Sequence, residues 1–211
     1  MDRIKDPAFL RCCPVSERLE RSVCVYCASS RKCDPAYHAA AHRVGEILAA
    51  DGRVVVYGGS RIGSMGALAD GALARGGRVV GVLPRILADL EVSHDGLTEL
   101  HIVEDMRARK HLMLSSSEAV VALPGGCGTF EELFEALTLK RLGVFLGPIV
   151  LVNTQNYFAP LLALLAAAVE ERFMDEQHTA MWQVVADPEE LLGALSSAPP
   201  WSAAARAFAT P

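Results

Sequence analysis

Residues 121–135 read VALPGGCGTFEELFE. Four apolar residues from Val121 to Pro124 are followed by Gly125, Gly126 and Gly128, and then by a segment rich in helix formers. A short apolar run, a glycine turn and a helix make one strand–turn–helix unit. The open N–H groups of such a helix start attract anions. Yet Glu131, Glu132 and Glu135 follow within two turns. The first question is what those acids do beside an anion cradle.

The same unit recurs outward in both directions. Strands are expected at Ser22–Cys27, Arg53–Tyr57, Arg78–Leu83, Leu100–Val103, Glu118–Leu123 and Pro148–Val152. Helices are expected at Tyr37–Ala50, Gly63–Arg75, Asp105–Ser115, Thr129–Leu142 and Tyr157–Glu171. Strands apolar on both faces, alternating with helices, predict an α/β fold: a Rossmann-like, doubly wound parallel sheet flanked by helices in a single domain. The expected boundaries are a flexible N-terminal segment at 1–20, a nucleotide-binding catalytic domain at 21–195, and a loosely held Pro/Ala/Ser-rich tail at 196–211. Ligands of such sheets bind beyond the carboxyl ends of the strands, so the turns there are the places to search.

Composition narrows the function. The chain is 51% hydrophobic and 21% charged, with a formal charge of −5. Its dense basic clusters, Arg107/Arg109/Lys110/His111 and Lys140-Arg141, are too short for a nucleic-acid track. No apolar run reaches the ~18–20 residues of a membrane span. The start of the chain shows no signal-peptide pattern, which predicts a cytoplasmic protein. Of six cysteines, only Cys24 and Cys27 form a CxxC pair, and no second pair completes a zinc site, so no metal is expected. An offset of three in a strand puts these two on opposite faces, as buried reduced thiols.

Four strand-end turns carry candidate chemistry. In Cys27-Ala-Ser-Ser-Arg31 the hydroxyls of Ser29 and Ser30 are either turn caps or donors to a phosphate or sugar. In Tyr57-Gly-Gly-Ser60, Gly58 and Gly59 let backbone approach a ligand. The spacing is not that of a dinucleotide fingerprint, and no acid ends the next strand, so NAD is disfavoured. Arg107, Arg109 and Lys110 crowd the start of a helix against its macrodipole, reading as a solvated face or as partners for an anion. The glycine turn lacks the Lys of a Walker loop, but Gly126–Phe130 amides with the Thr129 hydroxyl suit a single phosphate. On the following helix, Phe130, Leu133, Phe134 and Leu137 read as the buried face. Glu132 then falls on the opposite side and Glu131 with Glu135 on a flank, where acids also stabilise a helix start.

Pro124-Gly-Gly-Cys-Gly-Thr-Phe-Glu-Glu132 matches the pattern PGGxGTxxE, and Met106-Arg-Ala-Arg-Lys110 resembles MxxRK. With the turns at Cys27–Ser30, Tyr57–Gly59, Gly63–Gly66 and Val79–Pro84, the chain resembles the Lonely Guy (LOG) family from about Val23 to Leu192. These are cytokinin riboside 5′-monophosphate phosphoribohydrolases, long mislabelled as lysine decarboxylases. The resemblance implies a homodimer without cofactor that hydrolyses the N-glycosidic bond of an N6-substituted AMP. The family's catalytic pair maps to Arg109 and Glu132. Its phosphate and ribose contacts map to Gly125, Gly126, Gly128 and Thr129, helped by Lys110, Gly59 and Ser30. A broader AMP or purine-nucleotide glycosidase and a non-catalytic nucleotide-binding protein are the alternatives. A decarboxylase would need a Schiff-base lysine. Among Lys5, Lys32, Lys110 and Lys140 only Lys110 falls at a candidate site. Cys127, Ser60, Leu139 and Arg141 depart from the family's usual residues.

Overall fold

A computed structural model describes residues 19–88, 93–205 and 207. The expected flexible segment 1–20, with Cys12 and Cys13, lies outside them up to residue 18. Seven strands form one sheet: β1 (Ser22–Tyr26), β2 (Val54–Tyr57), β3 (Val79–Pro84), β4 (Glu99–Val103), β5 (Ala119–Ala122), β6 (Ile149–Val152) and β7 (Gln183–Val185). The order is β4-β3-β2-β1-β5-β6-β7, and every pair is parallel. The connecting helices are α1 (Pro35–Ala50), α2 (Gly63–Ala74), α3 (Arg85–Ala88), α4 (Met106–Ser115), α5 (Cys127–Arg141), α6 (Ala159–Glu170) and α7 (Leu191–Ser197). α3, β7 and α7 are additions to the sequence reading.

The helices cover both faces of the sheet, as the doubly apolar strands require. Val23, Val25 and Cys27 point into a core shared with α1, α2 and α7. Cys24 and Tyr26 point into the opposite core, shared with α4 and α5. The two cysteines are therefore buried free thiols on opposite faces. From β1 the chain moves outward to β4, then returns across the sheet to β5 on the other side of β1. That reversal opens a crevice beyond the carboxyl ends of β1 and β5.

Three details differ from expectation. Helix α5 begins at Cys127, two residues early. Its buried residues are Thr129, Glu132, Leu133, Ala136, Leu137 and Lys140, while Phe134 is 39% exposed. Leu133 and Leu137 are buried and Phe130 packs on the core, as read; Phe134 is not, and Glu132 points inward instead. Finally, the described part of the C-terminal stretch is packed. Trp201 Nε1 donates to the Lys140 carbonyl at 2.7 Å, and Ala205 is buried.

Lys140 is only 1% exposed. Its Nζ donates to the Gly147 carbonyl at 2.6 Å, beneath the Trp201 ring, and burial lowers its pKa to about 8. Burial pushes Cys24, Cys27, Tyr26 and Tyr57 the other way. Unfolded thiols ionise from about pH 8.5 whereas these do not, so the stability they contribute is lost as pH rises past that point. Each such group costs about 1.4 kcal/mol per pH unit. Lys140 opposes them: above about pH 8 it is neutral in the fold and still charged when unfolded. The urea midpoint is expected to fall between pH 8 and pH 10, and to fall more steeply in Lys140→Met. Equal slopes in the two proteins would contradict this account of Lys140.

Candidate active site

A cleft of about 340 Å³ occupies the crevice between the ends of β1 and β5. The β1–α1 turn supplies Ser29 and Ser30, α4 supplies Met106 and Arg109, and the start of α5 supplies Gly126, Gly128, Thr129 and Glu132. Segments 23 positions apart (132 − 109) are thereby joined at one place.

Arg109 arrives there because Asp105 caps α4. The Asp105 carboxylate accepts from the Ala108 amide at 2.8 Å, and the Arg109 amide closes the first turn on the Asp105 carbonyl. The side chain then runs inward and is only 4% exposed. Its Nη2 donates to the Gly58 carbonyl at 3.1 Å. A Cβ on Gly58 would lie 1.9 Å from that nitrogen, so the glycine at the end of β2 makes room for the guanidinium. Nε is buried without a hydrogen-bond partner among the described residues, which leaves a strong donor for something else.

Helix α5 opens without a side-chain cap: its N-cap is Gly126. The first closing bond runs from the Phe130 amide to the Gly126 carbonyl at 3.0 Å. The amides of Cys127, Gly128 and Thr129 precede that bond and have no partner within the helix. By contrast, Asp34 and Asp105 cap α1 and α4. Gly125 has no room for a side chain, because its Cβ would lie 2.1 Å from Thr129 Oγ1. One turn beyond these amides sits Glu132, 5% exposed. Burial raises the pKa of the Cys27 thiol, Glu132 adds to the rise and Arg109 opposes it. Both charges are therefore felt at the end of β1.

The three acids of α5 separate. Glu131 and Glu135 hold Lys110 Nζ at 2.5 and 3.0 Å, tying α4 to α5 outside the cleft lining. Glu132 alone turns inward. Lys110 is accordingly held by carboxylates, and its pKa is raised, chiefly by Glu131. Gly59 lies at the end of β2 with a left-handed φ of 81°, and its carbonyl accepts from the His94 amide. Gly125 borders an adjoining recess of about 210 Å³ that shares Ala28, Ser30 and Gly126 with the cleft. Tyr37 and Tyr157 line that recess; neither belongs to a recognisable motif. Among the described residues no cluster of three or more His, Cys, Asp or Glu could hold a metal.

A family model described as "Possible lysine decarboxylase" matches residues 65–195. The cytokinin riboside 5′-monophosphate phosphoribohydrolase of Rhodococcoides fascians is 42% identical over 178 residues, which is 84% of this chain and 90% of that protein. The chain belongs to the Lonely Guy family. A relative of the same name from Arabidopsis thaliana is 38% identical, covering 80% of this chain and 78% of its own. In fold, this Lonely Guy chain is similar to a molybdenum cofactor carrier protein of Chlamydomonas reinhardtii. That likeness has a TM-score of 0.64 at 23% identity and covers 85% and 97% of the two chains.

The departures from the usual Lonely Guy residues lie at identifiable places. Cys127 is the exposed first residue of α5. Ser60 secures its turn, its Oγ accepting from the Ile62 amide. Leu139 packs against the core, and Arg141 ends α5. The "lysine decarboxylase" label finds no lysine among the residues lining the cleft.

Gly58→Ala tests the seating of Arg109. Overpacking is expected to cost about 1–3 kcal/mol in urea denaturation. In an Arg109→Ala background, where the clash partner is gone, the cost should shrink to a few tenths. The same cost in both backgrounds would refute the packing account.

Proposed function

We propose that this protein hydrolyses the N-glycosidic bond of cytokinin riboside 5′-monophosphates, releasing the free base and ribose 5-phosphate. The observation that carries the reading is the inward turn of Glu132. A buried carboxylate and a buried guanidinium share one cleft with an uncapped helix start. The amides of Cys127, Gly128 and Thr129 hold the 5′-phosphate, with Ser30 assisting at the ribose. This orients the sugar so that C1′ faces Glu132.

Breaking the C1′–N bond builds positive charge on the sugar. The Glu132 carboxylate stabilises that charge at close range, and accepts a proton as water adds to C1′. The bonding electron pair leaves with the base, whose nitrogen takes up a proton from solvent, and Glu132 then gives its proton back to solvent to restore the carboxylate. Arg109 stays charged throughout. It polarises the departing base and holds the electrostatic balance around Glu132. Lys110, Glu131 and Glu135 keep α4 and α5 in register, so that the two charged groups stay aligned.

Leu165 is the buried residue of α6, whereas Leu164 on that helix and Phe134 on α5 are exposed. A second copy of the chain covers these apolar side chains in a homodimer. The substrate is a small nucleotide and not a polymer, in keeping with the formal charge of −5, and the protein works in the cytoplasm away from membranes.

Incubation with isopentenyladenosine monophosphate should release isopentenyladenine, followed chromatographically. Glu132→Gln and Arg109→Ala should each lower kcat by at least about 10²-fold. No base from wild type, or equal turnover by the variants, would end the proposal. Base from AMP alone would retain the chemistry and discard the cytokinin substrate. Sedimentation analysis should show a dimer that Leu164→Glu weakens; an unchanged assembly would place the interface elsewhere.

A further inference from the structure

The geometry points to Tyr157 as a positioning residue that sets the anion-binding loop through a single hydroxyl. This inference rests on reading the start of α5 as the phosphate cradle. Tyr157 lies in the β6–α6 connection, far from the family motifs in sequence. Its hydroxyl donates to the Gly125 carbonyl at 2.5 Å. In a trans peptide the C=O and the following N–H point in opposite directions, and the chain has no cis bond among the described residues. Fixing the Gly125 carbonyl toward Tyr157 therefore turns the Gly126 N–H away from it. Gly126 lines both the recess and the cleft, so this peptide plane is the wall between them. Without a side chain on either residue, the plane has little else to hold it.

The tyrosine is itself firmly placed. Its ring stacks on Phe130 and meets Tyr37 and Phe158 edge-on, with centroids at 6.4, 5.8 and 5.4 Å. Just before it, Gln155 and Asn156 both take left-handed φ angles, 54° and 57°. Two successive non-glycine residues in that region are costly, and such strain persists where surrounding structure enforces it. Here Asn153 does so. Its Nδ2 donates to Asn156 Oδ1 at 3.0 Å, and its Oδ1 accepts from the Phe158 amide at 2.7 Å. The connection is thus held in an unfavourable backbone shape that delivers one hydroxyl to one carbonyl. From the other side, Thr129 packs against Gly125. The loop is clamped between a side chain of its own helix and one from the next connection.

The test uses calorimetric titration of ribose 5-phosphate into wild type, Tyr157→Phe and Tyr37→Phe. Removing the Tyr157 hydroxyl keeps the ring contacts and frees the peptide plane. Affinity for ribose 5-phosphate should weaken about five- to tenfold. KM for the nucleotide should rise in parallel while kcat moves less than about twofold, because Glu132 and Arg109 are untouched. Binding of free adenine, which has no phosphate, should be unchanged. Tyr37→Phe removes the other phenol of the recess and should behave as wild type. Unchanged ribose 5-phosphate affinity in Tyr157→Phe, with wild type still releasing base, would overturn this role and leave the hydrolase reading intact. Equal losses in both variants would mean that the phenols touch the phosphate directly, which also overturns it. If wild type does not bind ribose 5-phosphate, the cradle and this inference fall together.

Discussion

Everything in the cleft depends on keeping a guanidinium and a carboxylate out of water at the end of a parallel sheet. Arg109 and Glu132 are 4% and 5% exposed. Removing either charge from water costs several kcal/mol unless it finds compensating partners. For Arg109 the described residues supply only part of that compensation: the Gly58 carbonyl, with a buried Nε that lacks a hydrogen-bond partner among them. A site with unspent donor capacity is matched to a ligand, and less to stability. The fold tolerates this because the crevice between β1 and β5 is where chain reversal leaves strand ends uncovered. Gly58 and Gly125 are consequences of the same constraint. Each sits where a methyl group would strike a side chain of the site.

Helix α5 joins two requirements in one element. Its first amides are open to an anion, and Glu132 follows Thr129 by three residues, a rise of about 4.5 Å along the axis. That is of the order of the reach from the phosphate to the anomeric carbon of a ribose 5-phosphate. The helix therefore acts as a ruler, with charge attraction at one end and a carboxylate one turn later. Glu131 and Glu135 use the outer face of the same turn to bind Lys110. The acidic helix start that looked hostile to an anion is divided by helical periodicity into a structural pair and a buried acid.

The sheet was legible because its central strands are short, apolar runs such as Val54–Tyr57, buried on both faces. The edge strand β7 has only three residues, with Gln183 and Val184 partly open, and it sends no such signal. The face of α5 was legible only in part: Leu133 and Leu137 are buried, but so are polar residues. Its buried side carries Thr129, Glu132 and Lys140, so polar groups occupy positions that hydrophobicity would assign to the core. Phe134, assigned inward, is left on the surface. Arg109, Gly126, Gly128, Thr129 and Glu132 of the cleft lining were visible through their motifs, whereas Leu87 and Tyr157 were not. The contribution of Tyr157 depends on a contact across 32 positions, and a lone tyrosine announces nothing in sequence. The C-terminal stretch looked loose by composition, yet Trp201 docks on a carbonyl of α5.

The central claim is that one ligand spans the open amides of α5 and the Glu132 carboxylate. Its most direct test is a crystal structure of Glu132→Gln soaked with isopentenyladenosine monophosphate. The account predicts the phosphate on the amides of residues 127–129, and C1′ about 3–4 Å from the side chain of residue 132. A phosphate seated instead on Lys110, or a glycosidic bond turned away from residue 132, would contradict it.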